Sequence, residues 1–153
     1  MQKVLQIIQK KPAVFVLLSL SYILVVGLVK WRLAPPMEAL VYLAGGLLGI
    51  YFLDLAELFF KLFPSPFRSV VFQWLFVAVS FFVVTSSGSL LASGLVLSLY
   101  LTMILWQAGE WKLAGNLTSW YRMVAGPVDL GIQRWSMIAF AVIFIIETFL
   151  FIR

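Results

Sequence analysis

Five long apolar stretches constrain this chain more than any other feature of its sequence. Each is 17 to 24 residues long, about the length that a helix needs to cross a hydrocarbon core of about 30 Å. The apolar residues run continuously and do not alternate with polar ones, which favours helices over barrel strands. The sequence therefore predicts an all-α, polytopic membrane bundle of about five transmembrane helices. The predicted crossings cover residues 12–29, 37–60, 69–85, 90–106 and 135–152.

The composition agrees with a membrane protein and excludes several classes of function. Of the 153 residues, 63% are hydrophobic and 11% are charged, whereas about a quarter of the residues in a soluble domain are charged. Cysteine and histidine are both absent, which excludes disulfides, Cys/His metal sites and catalytic triads that need either residue. We expect a single membrane domain over residues 1–153, with no cofactor, no metal site and no nucleic-acid partner.

The basic residues predict how the bundle is oriented. With five crossings, eight of the 11 Lys and Arg fall on the side of the N-terminus and three on the other side. Because cytoplasmic loops carry the excess of basic residues, this bias predicts an N-terminus inside and a C-terminus outside. Lys30 and Arg32 do not follow the bias, but their long side chains can extend to the outer interface. The short loops favour a prokaryotic plasma (inner) membrane.

Residues 107–134 form the one long polar interval, and its charges make a further crossing unfavourable. Aromatic residues interrupt it, which is typical of a segment that lies at the level of the lipid headgroups. We predict a cytoplasmic interfacial helix at about residues 109–124, and a re-entrant loop is the alternative. The predicted interfacial anchors are Trp31, Trp111, Trp120, Tyr121 and Trp135.

Asp54, Glu57 and Lys61 lie on one face at the end of the second predicted helix. Glu57 and Lys61 are four residues apart, which favours an ion pair between them. In the structural interpretation, the three residues neutralise one another among cytoplasmic headgroups. In the functional interpretation, Asp54 reaches into the hydrocarbon and binds a proton or a cation. We favour the structural interpretation, because side chains so close to a helix end can extend into the headgroup region.

Glu147 is the single acidic residue within the last apolar stretch, five residues before Ile152. Its neighbours in the sequence give it no partner, and an unpaired acid in a membrane is by default a candidate proton or ion site. A neutral glutamic acid near the interface is an equally good interpretation. Glu147 and Asp54 would lie on opposite sides of the membrane midplane, about 12 Å apart, as two stations on one path.

Small residues recur every four positions in the second and fourth predicted helices, as Gly45 and Gly49 and as Gly94, Ser98 and Thr102. Because small side chains let helix backbones approach closely, we predict helix–helix contacts at these positions. A pore lined by hydroxyl groups is the less favoured alternative. Gln73 is expected to be buried and to form a hydrogen bond with a neighbouring helix.

No motif in the sequence indicates catalysis, so we expect no enzymatic activity. The leading hypothesis is a non-catalytic subunit or scaffold partner of a membrane complex, because short loops and small-residue faces favour assembly. The alternative is a small oligomeric channel or proton/cation-coupled transporter that uses Asp54, Glu57 and Glu147. The expected partners are the lipid bilayer and either a second copy of this chain or another membrane protein. A lipid-modifying enzyme is a third hypothesis, because four acids fall on the predicted cytoplasmic side.

Overall fold

A computed structural model of the protein describes residues 2–62 and 65–153. Six α-helices make up most of this part of the chain, and a short 3₁₀ turn at Thr118–Tyr121 lies before the last of them. The helices are α1 Gln2–Lys10, α2 Ala13–Lys30, α3 Ala39–Phe60, α4 Val70–Ser86, α5 Leu90–Ala114 and α6 Leu130–Ile152.

The helices form the membrane bundle that the apolar stretches predict. Helices α2, α3, α5 and α6 are each at least 18 residues long and apolar enough to cross a membrane. Helix α4 is also apolar, and its 17 residues extend for about 25 Å at the rise of an α-helix. The prediction of an all-α membrane bundle is confirmed, and the part of the chain that the structure describes contains no strand.

Helices α4 and α5 are antiparallel neighbours joined by a tight turn. The turn needs Gly88, whose φ of 64° lies in the left-handed region, where a side chain would be strained. Ser89 then starts α5 by accepting a hydrogen bond from the Ala92 amide at 3.2 Å. The turn therefore places the polar residues of α4 and α5 opposite one another across the bundle.

Helices α3 and α5 run parallel and form the most extensive contact in the bundle. A Cβ atom on Gly45 would collide with the backbone oxygen of Leu91, and one on Gly94 with the backbone oxygen of Tyr42. At Gly49 the same atom would lie 2.5 Å from Leu95 O. Only glycine permits such close backbone approach, so these positions set the distance between the two helices.

The interval after the fourth crossing differs from the predicted interfacial helix over residues 109–124. Helix α5 continues past residue 106 and ends only at Ala114, where Gly115 adopts a left-handed φ of 70°. The chain beyond it forms the 3₁₀ turn and a loop, and α6 begins at Leu130. Helix α5 can carry Glu110 in its last turns because Ser119 and Trp120 donate hydrogen bonds to that carboxylate. The amphipathic helix α1 was not predicted.

Candidate functional site

A fully buried carboxyl group lies where α4, α5 and α6 meet. Glu147 of α6 is 0% exposed, and its Oε1 lies 3.0 Å from Ser80 Oγ and 3.1 Å from Tyr100 Oη. Ser80 belongs to α4 and Tyr100 to α5, and both are also 0% exposed. We call Ser80, Tyr100 and Glu147 the carboxyl triad. Each of the three helices thus contributes one polar group to one buried site.

Aromatic rings surround the triad and keep its environment apolar. The Tyr100 ring stacks on Phe140 at a centroid distance of 4.7 Å and packs edge-on against Phe76 at 4.9 Å. Phe144, one turn before Glu147, lies 5.5 Å from the Tyr100 ring. Within the described residues, Glu147 Oε2 has no hydrogen-bond partner. The carboxyl group therefore has one oxygen that the protein holds and one that it leaves available.

A second hydroxyl pair joins α2 to the same site. Tyr22 Oη and Thr148 Oγ1 are 2.7 Å apart, and Thr148 follows Glu147 directly in the chain. The Thr148 hydroxyl also donates to the backbone oxygen of Phe144 at 2.9 Å. Since a hydroxyl has one proton, Tyr22 is the donor in the tyrosine–threonine bond. Four helices consequently contribute polar groups within one layer of the bundle.

Two buried glutamines repeat the polar arrangement two helical turns closer to the end of the bundle that holds Lys11. Gln107 Nε2 donates to Gln73 Oε1 at 2.6 Å, which joins α5 to α4 as the sequence suggested for Gln73. Gln73 precedes Ser80 by seven residues and Gln107 follows Tyr100 by seven, so each pair shares a helix face. Among the described residues, Gln73 Nε2 and Gln107 Oε1 lack partners.

The same spacing of seven occurs on α6, where Gln133 precedes Phe140 and Phe140 precedes Glu147. Gln133 is 2% exposed, and its Oε1 accepts a hydrogen bond from the Leu117 amide at 2.7 Å. Buried polar groups thus recur along the inner faces of α4, α5 and α6. We call this set the polar column; its members are Gln73, Ser80, Tyr100, Gln107, Gln133 and Glu147.

The structure places the other acidic candidates at the end of the bundle that holds Lys11, in ion pairs. Lys11 Nζ lies 2.9 Å from Asp54 Oδ2 and also donates to the backbone oxygen of Ile50. Arg68 Nε lies 3.3 Å from Glu57 Oε1, and an Arg68 Nη atom is 4.0 Å from Asp54. Basic residues therefore compensate both acids. Asp54 and Glu57 therefore lie close to each other, whereas Glu147 belongs to a separate site, the carboxyl triad.

The predicted pairing of Glu57 with Lys61 does not form. Lys61 ends α3 in a left-handed conformation with a φ of 51°, and its side chain is exposed. Glu57 pairs with Arg68, which follows the turn into α4. The rule for residues four apart applies within a continuous helix, and here the helix ends at the second residue of the pair.

The small residues singled out in the sequence lie between α3 and α5. Gly49 faces Ser98, whose Cβ would lie 2.8 Å from a Cβ on the glycine. Thr102 donates to the backbone oxygen of Ser98 at 3.0 Å, and both side chains are buried. With Gly45 and Gly94, these residues form a close backbone contact between α3 and α5. The hydroxyl groups therefore lie in a helix contact within one chain.

The predicted interfacial anchors divide into exposed and buried residues. Trp135 is 70% exposed at the start of α6, while Trp31, Trp111 and Tyr121 are partly buried. Trp120 was predicted as an anchor, but the structure buries it to 1% exposure. Its indole N–H donates to Glu110 Oε2 at 2.9 Å, which satisfies its one polar atom inside the protein.

Sequence reasoning did not identify Ser80 and Tyr100 as partners of Glu147. The available signal was the spacing of seven residues that links Ser80 to Gln73 and Tyr100 to Gln107. Because α4 and α5 are adjacent and antiparallel, this spacing places Ser80 and Tyr100 at the same depth in the bundle. Arg68 was likewise counted as a basic residue for orientation and was not considered as a partner of the acids.

Comparisons with known proteins give no further assignment: no family model, no curated protein and no solved structure matches the chain. No group of three or more acidic residues that could hold a metal ion occurs within residues 2–62 and 65–153. The fold defines a helical membrane protein, and the carboxyl triad is its most distinctive buried chemistry.

Proposed function

We propose that the protein is a proton-conducting channel or proton-coupled transporter of a prokaryotic plasma membrane, with its N-terminus in the cytoplasm. In this proposal, Glu147 is the group that binds and releases the proton. The observation that supports it best is the triad itself, a fully buried carboxyl group with two hydroxyl groups within hydrogen-bond distance of one oxygen and no partner, among the described residues, for the other.

The surroundings of Glu147 favour its neutral, protonated form. Ionising a fully buried carboxyl group costs several kcal/mol, whereas a hydrogen bond between membrane helices contributes only about 0.6 kcal/mol. Among the described residues, no basic side chain forms an ion pair with Glu147. Hydrogen bonds of this size do not offset the cost of ionisation, so Glu147 is neutral at rest and releases its proton only when an acceptor reaches the carboxyl group.

The same geometry favours a proton over a metal cation. Ca²⁺ requires six to eight oxygen ligands and Mg²⁺ an octahedral set. The site offers one carboxyl group, two hydroxyls and the rings of Phe76, Phe140 and Phe144. A proton needs only one oxygen, and Glu147 Oε2 provides it.

The polar column supplies part of a path between the triad and the end of the bundle that holds Lys11. Gln73 and Gln107 lie two helical turns from Ser80 and Tyr100, which is about 10 Å along the helix axes. One hydrogen bond cannot span that distance, so proton transfer across it requires water between α4, α5 and α6. Phe76 and Phe140 occupy this section and act as the barrier.

Flux measurements on reconstituted liposomes test the proposal. Vesicles that contain a trapped pH-sensitive dye are subjected to a pH gradient, with potassium and valinomycin present to remove the membrane potential. We expect wild-type protein to dissipate the gradient and Glu147→Gln to leave it at the rate of empty vesicles. Glu38→Gln is the matched control, because Glu38 is exposed and makes no capping bond to α3.

Two results would contradict the proposal. Wild-type vesicles that leak no faster than empty ones would remove the proton-channel function, since only a coupled transporter would need a substrate to move protons. Glu147→Gln vesicles that conduct as fast as wild type would remove Glu147 as the proton-binding group.

The accessory-subunit hypothesis has less support than it had from the sequence. Its main argument was the set of small-residue faces, and Gly45, Gly49 and Gly94 lie within the chain, against its own helices. The mass of the complex released from native membranes distinguishes the two functions. A homo-oligomer agrees with transport, since one chain offers few helices to surround a path, whereas a complex with a different protein favours the subunit.

A further inference from the structure

A cavity of about 310 Å³ lies at the end of the bundle that holds Lys11, between the start of α4 and the 3₁₀ turn. Its lining includes two arginines and three serines: Arg68, Arg122, Ser65, Ser69 and Ser119. Within the described residues, no carboxylate lines it. We propose that this cavity binds a phosphate group. The site is distinct from the carboxyl triad and does not depend on proton transport.

Arg122 supplies positive charge that no acid in the described part of the chain neutralises by an ion pair. Its Nε donates to the backbone oxygen of Ser119 at 2.9 Å, which fixes the start of the guanidinium group. The two Nη atoms carry four further N–H donors. A planar guanidinium group held in this way is suited to bind two oxygens of one phosphate.

Arg68 is held on the other wall by contacts that leave donors available. Its Nε pairs with Glu57, one Nη approaches Asp54, and the guanidinium group lies 4.0 Å over the Trp106 ring. The side chain remains 43% exposed. Because Lys11 already pairs with Asp54, Arg68 is not required to neutralise both acids.

The serines shape the cavity more than they bind its ligand. Ser69 donates to the backbone oxygen of Pro66 at 2.6 Å and accepts from the Phe72 amide at 3.2 Å. Ser119 donates to Glu110. These bonds fix both edges of the opening, and the positive end of the α4 dipole adds a favourable field for an anion.

A phosphate group at this position can come from a lipid headgroup or from solution. The cavity lies at the end of a membrane-spanning helix, where lipid phosphates are found, and its Met123 side chain is 59% exposed. Both sources share the same chemistry, which is an oxyanion bound by two guanidinium groups. The experiment must therefore separate them.

Native mass spectrometry of the detergent-solubilised protein provides the test, with phosphatidylglycerol and phosphatidylcholine as probes and inorganic phosphate as competitor. We expect Arg122→Gln to weaken phosphatidylglycerol retention about tenfold, the effect of losing one charge-assisted contact. Arg134→Gln is the matched control, because it removes the same charge from an exposed residue of α6 that does not line the cavity. Its retention should equal that of wild type.

The results of this experiment distinguish a lipid headgroup from free phosphate as the ligand, and some of them would contradict the proposal. Displacement of lipid by inorganic phosphate, together with a change in tryptophan fluorescence on addition of phosphate alone that is absent from Trp106→Phe, identifies a free phosphate site. Retention that inorganic phosphate does not affect identifies a lipid headgroup site. Equal losses in Arg122→Gln and Arg134→Gln would contradict a phosphate site in this cavity, and so would wild-type protein that retains neither lipid and shows no fluorescence response to inorganic phosphate.

Discussion

The two sides of α5 pack against their neighbouring helices in different ways. Toward α3, glycines bring the backbones together, and little but main chain and small side chains lies between them. Toward α4 and α6, large polar and aromatic side chains fill the space, and a carboxyl group is buried among them. One side gains stability from close packing. The side that faces α4 and α6 contains buried polar groups, which close packing alone does not require.

The two sides of α5 should therefore differ in which substitutions they tolerate and in how much stability a substitution costs. On the α3 side an added carbon atom has no room, because the nearest atom is backbone. On the α4–α6 side a hydroxyl or an amide can be removed without a collision, and the cost is the lost hydrogen bond.

Gly94→Val should cause the largest loss of stability. The new side chain would meet the Tyr42 backbone oxygen, so α3 and α5 would have to separate, at a cost of about 3 kcal/mol or more. Thermal unfolding in detergent measures the effect. Gly109→Ala is the control, since its Cβ would lie 3.8 Å from the nearest atom, on Phe15, and should leave stability equal or improved. Equal melting temperatures for both variants would refute the role of close packing.

Asp54→Asn should destabilise the protein by about 1–3 kcal/mol, because it leaves a buried cation without its counter-charge. The Lys11 side chain is only 6% exposed and pairs with Asp54 at 2.9 Å. Glu38→Gln removes a charge from an exposed residue and should change stability by less than about 0.5 kcal/mol. Denaturation monitored for both variants gives the difference, and equal values would show that the ion pair is unimportant.

Tyr100→Phe should reduce stability by only about 1 kcal/mol, since it removes one hydrogen bond and keeps the stacked ring. Tyr100→Phe should also slow proton flux clearly, because Glu147 loses the hydrogen bond from the Tyr100 hydroxyl. Tyr51→Phe, on α3, is the control for loss of a tyrosine hydroxyl. The role assigned to Tyr100 fails if the two variants conduct protons at the same rate.

The glutamine pair should show the smallest effect. A double-mutant cycle on Gln73→Leu and Gln107→Leu should give a coupling energy of about 0.6 kcal/mol, the average for hydrogen bonds between membrane helices. The double variant is expected to be nearly as stable as wild type, because both buried polar groups are then gone. A coupling energy near zero would mean that the 2.6 Å contact adds nothing to folding.

Much of the bundle could be predicted because a long apolar stretch is stable in a membrane only as a helix. The helix starts at Ala13, Val70 and Leu90 fall within one residue of the predicted crossings. The fourth crossing was predicted to end at residue 106 because Glu110 and Lys112 assigned the residues after it to a separate interfacial helix, whereas α5 continues to Ala114. Their charges are accommodated by Ser119, by Trp120 and by the exposure of the helix end, none of which hydropathy can reveal.

The candidate site was only partly predictable. Glu147 stood out because a charge in an apolar stretch is visible in a single segment, whereas its partners belong to two other helices. Ser80 and Tyr100 are ordinary residues in their own segments, and their importance comes from the rotation and depth of α4 and α5. The Arg68 ion pairs depend on the left-handed residue that ends α3 at Lys61, which also removed the predicted pair.

Infrared spectroscopy of the protein in lipid bilayers tests most directly whether Glu147 carries an exchangeable proton. We expect a carbonyl band of a protonated carboxylic acid at neutral pH, absent from Glu147→Gln, that shifts when the bilayers are transferred to D₂O. The absence of such a band in wild type, or a band that D₂O leaves unchanged, would contradict an exchangeable proton on Glu147.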